Sequence, residues 1–159
     1  MFRYIENKER TFLFGAYRGE KSQLDWILGE KTGRYEKLYN VRFNKDLFSQ
    51  RNGGMLSNVL PDYVLIYNTQ NPQEDYHLFP CVNSSVKRQE EMEQLDYPDP
   101  NGAYIVYSLG EELLAEPLDM GELLGQTFRR RDEEALYAPK ILTGTDIANA
   151  VNGLAKNKR

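Results

Sequence analysis

Two stretches of this 159-residue chain narrow the architecture more than any other feature. Tyr63–Tyr67 (YVLIY) and Ala103–Leu109 (AYIVYSL) are apolar almost throughout. Runs this short, rich in β-branched and aromatic residues, read as strands. A strand that is apolar on both sides must be covered on both sides, so each is expected in the middle of a layered sheet. The two are expected to be neighbours there.

The rest of the chain supplies further strands and the covering layers. Phe2–Ile5 and Thr11–Tyr17 read as a hairpin around the polar turn Glu6–Arg10. Tyr35–Phe43 alternates, with Tyr35, Lys37, Tyr39, Val41 and Phe43 on the side expected to face the core. Phe48–Asn58, with Gly53-Gly54, reads as a loop. Tyr76–Val82 is a strand in which Pro80 lacks a ladder donor, which predicts an edge position or a bulge. Lys140–Leu142 reads as a short edge strand.

Four helices are expected. Ser22 caps the first, with Asp25 as the answering acid and Gly29 as its stop. Ser84 or Ser85 caps a second that runs through Leu95 to the Pro98–Pro100 stop. Asp119 caps a third, with Leu118 and Leu123 as a hydrophobic staple. Thr143 or Thr145 caps the last, whose Ile147, Ala148, Val151, Leu154 and Ala155 share a face. The fold class that follows is α+β. A mixed sheet of five to six strands with three to four helices forms one domain over residues 1–155, and residues 156–159 are a frayed tail.

Composition removes whole classes of function. Cys81 is the only cysteine and His77 the only histidine, so a disulfide, a structural zinc site of four Cys/His ligands and a histidine triad are not expected. In a strand, His77 and Cys81 stand about 13 Å apart, too far to form a catalytic pair. Asn52-Gly53-Gly54 lacks the Lys-Ser/Thr of a phosphate-binding loop, and no cofactor is expected. No apolar run reaches membrane-spanning length, and Met1–Arg10 has no apolar core, so a cytoplasmic protein without a membrane partner is expected.

What remains is recognition. The net charge of −4 is unevenly spread, +4 over residues 1–60 and −11 over residues 61–134. The whole chain carries eleven tyrosines, and Tyr and Arg together suit a binding surface. The binding residues expected are Arg18, Arg34 and Arg42. Arg129-Arg130-Arg131 is a second cationic spot, answered at once by Asp132–Glu134. The function expected is a non-enzymatic recognition or accessory domain. A protein partner is favoured over nucleic acid because the chain is acidic overall.

A second reading comes from element order. Helix 22–28, strands 35–43, 63–67 and 76–82, helix 85–95 and strand 103–109, with Pro61-Asp62 entering the second of those strands, resembles the core of PD-(D/E)XK nucleases. The resemblance spans roughly 90 residues and implies an Mg²⁺-dependent phosphodiesterase. It would assign Asp62 to the metal and Lys87 to the attacking water. The chain departs from the family pattern on the next strand, where Pro80-Cys81-Val82 stands in place of the acid-x-lysine.

Overall fold

The computed structural model describes residues 8–29, 36–42, 60–98, 100–114, 116–127 and 139–157. In chain order the elements are β1 (Thr11–Tyr17), α1 (Lys21–Leu28), β2 (Lys37–Arg42), β3 (Tyr63–Asn68), β4 (Tyr76–Lys87) and α2 (Gln89–Gln94). They continue with β5 (Tyr104–Leu109), α3 (Met120–Thr127), β6 (Lys140–Thr143) and α4 (Gly144–Asn157). The strands make one mixed sheet in the order β2-β5-β4-β3-β1-β6, an α+β fold. Only β1 and β3 run parallel; the other four pairs are antiparallel. Among the described residues no helix is long and apolar enough to cross a membrane.

Alternation along β1 and β3 builds two cores. Leu13, Tyr17, Val64 and Ile66 join Phe79 and Tyr39 on one face, closed by Trp26 and Ile27 of α1 and Met92 of α2. Phe12, Phe14, Leu65 and Tyr67 point the other way, against Leu118 and the α3 residues Met120 and Leu123, with Ile147 and Ala150 of α4. Val64, Leu65 and Ile66 are fully buried, as the uninterrupted run requires.

The sheet coils around the first of these cores. β2 and β1 are separated by three strands, which in a flat sheet would set them about 19 Å apart at ~4.8 Å per strand. Yet the Tyr39 hydroxyl of β2 donates to the Ala16 carbonyl of β1 at 2.8 Å. Its ring lies against Gly15, where a Cβ would meet the Tyr39 hydroxyl oxygen at 2.5 Å and ring atoms at 2.6 Å. The bend is built into β4, which pairs with β3 over Tyr76–Pro80 and with β5 from Cys81 onward, with a register shift between Cys81 and Asn83. Bulges sharpen local twist, and this one lies directly after Pro80.

Several local expectations need correcting. β3 and β5 are not neighbours, because β4 lies between them. Pro80 is therefore in a central strand, and the bulge rather than an edge accommodates it. Ser84 and Ser85 cap nothing: β4 runs through Lys87 and the helix starts after Arg88, because β5 offers ladder partners to Asn83–Lys87. Ser22 lies inside α1, whose N-cap is Glu20 without a side-chain bond. Asp25 is instead buried and takes a bond from Lys21 at 3.1 Å. In β2 Leu38 is buried as well as Tyr39 and Val41, so both faces of this strand are covered.

Other signals hold. Gly29 ends α1 at φ 74°. The Asp119 carboxylate accepts from the Glu122 amide at 3.1 Å, with Leu118 and Leu123 buried around it. Thr143 caps α4 by accepting from the Asp146 amide at 3.3 Å. Phe2–Ile5, Tyr35, Phe43 and Phe48–Asn58 lie outside the described residues.

Two substitutions test this packing. Ile66→Asp places an unpaired charge in a fully buried position and is expected to abolish cooperative thermal unfolding, read by circular dichroism. Gly15→Ala forces the Tyr39 ring away from β1 and is expected to cost about 1–3 kcal/mol in urea unfolding, the usual range for overpacking. Unchanged unfolding in either variant contradicts the assignment.

Candidate functional site

The coil leaves a gap where β1 and β2 meet. β6 pairs with β1 only over Thr11–Phe14, so among the described residues the last three of β1 have no partner strand on that side. The Tyr39 side chain covers part of this stretch. Beside it is a cavity of about 230 Å³ lined by Ala16, Arg18, Gln23, Tyr39, Asn40, Val41, Arg42, Thr69 and Pro139.

Arg18 and Arg42 are thus brought to one cavity from the ends of two strands that are not neighbours in the sheet. The backbone of Arg18 is held on both sides: its amide donates to Gln23 Oε1 at 3.3 Å and its carbonyl accepts from Gln70 Nε2 at 3.2 Å. The Thr69 amide donates to the Tyr17 carbonyl at 2.9 Å, fixing the neighbouring turn. Gly19, at φ +78°, makes the tight exit from β1. Both arginine side chains are exposed, and neither guanidinium pairs with a carboxylate among the described residues. Two unpaired guanidinium groups beside Gln, Asn and Thr side chains suit an anion with several acceptor oxygens. Arg34 and Arg129–Arg131 lie outside the described residues.

Apart from Tyr39, which lines the cavity, the described tyrosines do not join this surface. None of the described tyrosines is exposed, and Tyr17, Tyr39, Tyr67, Tyr104 and Tyr107 are core residues. Burial, helped by neighbouring Tyr107, pushes the Tyr39 hydroxyl well above its ordinary range. Burial and the nearby Cys81 push Tyr107 up to about 12. The described tyrosines of the expected Tyr/Arg surface therefore belong to the interior, while Tyr4, Tyr35 and Tyr137 lie outside the described residues.

Asp62 and Lys87 are not brought together. The Asp62 carboxylate accepts from the Thr11 amide at 2.9 Å and stands 3.6 Å from Arg10, tying the start of β1 to the start of β3. Lys87 lies six residues beyond Cys81, whose amide donates to the Asp62 carbonyl, so it is roughly 20 Å away at ~3.3 Å per residue and leans toward Glu91 at 3.9 Å. Burial, with the charge of Asp62, pushes the Cys81 thiol up to about 11, so it is neutral at physiological pH. Among the described residues no cluster of three His, Cys, Asp or Glu side chains is arranged to hold a metal ion.

His77 belongs to a network that the sequence did not reveal. Its Nε2 lies 2.9 Å from Asp75 Oδ1 and its Nδ1 lies 2.8 Å from Glu112 Oε1. Ionised carboxylates only accept, so a ring N–H is the donor wherever one of these contacts is a hydrogen bond. Asp75 also accepts from the Tyr17 hydroxyl and from Asn68 Nδ2, the latter at 3.0 Å. Asp75 stands two residues before His77 and so on the same strand face, a spacing visible in the sequence. Glu112 is 35 residues away and left no signal.

Comparison with protein-family models, with curated proteins and with solved structures finds no match for this chain.

The network fixes a pH dependence. Burial pushes the Asp75 carboxyl up, but the bonds from Tyr17, Asn68 and His77 outweigh it and hold the group below its usual range. A lowered carboxylate pKa adds stability that is complete above the ordinary value near ~4 and is lost as pH falls through the lowered one. Asp75→Asn is therefore expected to flatten the acid limb of a stability-versus-pH curve measured by urea unfolding. An unchanged acid limb contradicts this role.

Proposed function

We propose that this chain is a recognition domain that holds an anionic group of a protein partner between Arg18 and Arg42. The observation that carries the reading is their convergence on one cavity, with no described carboxylate engaging either guanidinium. A phosphorylated or acidic side chain matches that donor set.

The buried tyrosines favour a protein over single-stranded nucleic acid, which is commonly held by stacking bases on aromatic side chains. The chain's net charge of −4 points the same way, since a single anionic side chain meets less long-range repulsion than a polyanion. The reading requires no cofactor. A lone cysteine that remains a free thiol suits a reducing compartment, so we place the protein in the cytoplasm.

The test uses a fluorescent phosphoserine peptide, with inorganic phosphate as competitor, followed by anisotropy. Arg18→Glu and Arg42→Glu are each expected to weaken binding at least tenfold, about the effect of one charge-assisted hydrogen bond. Their circular dichroism is expected to match wild type, and added salt to weaken wild-type binding. Asp62→Asn is expected to bind normally. Normal binding by both reversals contradicts the proposal, and so does a divalent-dependent DNA cleavage that Asp62→Asn abolishes.

A further inference from the structure

β4 is longer than the strand beside it. β3 pairs with Tyr76–Pro80, and beyond that point β4 has β5 on one side and no described strand on the other. Every second residue of such a strand turns its N–H and C=O away from its single partner, leaving an open template. Residues 82–86 (VNSSV) are all exposed and contain neither a charge nor a proline. Val82 and Val86 are 61% and 56% exposed, two of only four large apolar residues so exposed among those described. The usual edge guards stand at the ends of this window: the register shift at Cys81/Asn83 and Lys87.

We propose that residues 82–86 are a dimerisation edge, on which a second copy of this chain lays its own β4 antiparallel. The segment is self-complementary in that direction. With a two-fold axis through Ser84, Val82 of each copy meets Val86 of the other, Asn83 meets Ser85 and Ser84 meets Ser84. Each exposed valine is then covered by its counterpart.

Charge favours the same occupant. On this edge the place opposite Cys81 is taken by Asp62, whose carbonyl accepts from the Cys81 amide at 2.9 Å. The ladder to the incoming strand therefore ends at its Val86, and Lys87, the next residue, leaves the ladder beside the Asp62 carboxylate, whose side chain is 38% exposed. The symmetry repeats this pairing at both ends. Lys87 is only loosely held within its own copy, 3.9 Å from Glu91.

Sedimentation velocity over a concentration series tests the proposal on the full chain. Wild type is expected to form a dimer, and Val82→Lys with Val86→Lys to weaken it at least tenfold. At concentrations where wild type is monomeric, the double variant's thermal unfolding should match it, since both side chains face solvent in the single copy. A Cys81→Ser, Ser84→Cys variant is expected to form an intermolecular disulfide on oxidation, because paired strands hold opposing Cα atoms within bonding range. A wild type monomeric at every concentration overturns the proposal. So does a dimer indifferent to the two lysines, a Ser84→Cys variant that stays uncrosslinked, or an edge that takes an extended foreign peptide while the chain stays monomeric.

Discussion

The hydrogen bond from the Tyr39 hydroxyl to the Ala16 carbonyl holds two strands together that share no ladder. It gives a polar partner to a hydroxyl inside the first core and to a carbonyl at the end of β1, beyond the reach of β6. A buried polar group left unpaired would cost about 1–3 kcal/mol, so the bond matters more for what its loss would expose than for its own strength. Gly15 makes the contact possible, since any side chain there would occupy the space of the Tyr39 ring. The Cys81/Asn83 register shift in β4 supplies the curvature that brings β2 round. Coil, glycine and tyrosine are one device.

The cavity follows from that device. Arg18 is the first residue after β1 and Arg42 the last of β2, so closing one strand end over the other sets both at the rim. The adjoining turn is held by a continuous series of bonds. Glu112 contacts His77, His77 contacts Asp75, Asp75 accepts from Asn68, and Asn68 Oδ1 accepts from the Gln70 amide at 2.9 Å. Gln70 then donates to the Arg18 carbonyl. The backbone beneath Arg18 is thereby fixed while its guanidinium stays in solvent. Such preorganisation lowers the ordering cost of binding.

Legibility in the sequence tracked the range of the forces involved. Local signals were readable: the YVLIY run, the Gly29 stop, the Asp119 and Thr143 caps and the short edge strand at Lys140 all reflect contacts within a few residues. The Ser84/Ser85 cap failed because a partner strand some twenty residues downstream captured that stretch, and pairing outweighs a cap. The adjacency of β3 and β5 failed for the same reason, since the true length of β4 depended on β5. Arg18 and Arg42 were recognisable as basic residues at solvent-facing positions. Their meeting in one cavity depended on a coil whose main local trace is Pro80. The tyrosines were ambiguous because one side chain suits a core and a binding face equally, and here the core took them.

In the proposed function the coiled sheet makes Arg18 and Arg42 parts of one anion site. A double-mutant cycle on phosphoserine-peptide binding, with Arg18→Ala, Arg42→Ala and both together, measures that directly. Groups that share a ligand couple, so an interaction energy of at least about 0.5 kcal/mol is expected. Strict additivity, within about 0.3 kcal/mol, would show that the two arginines act at separate places and would contradict the account.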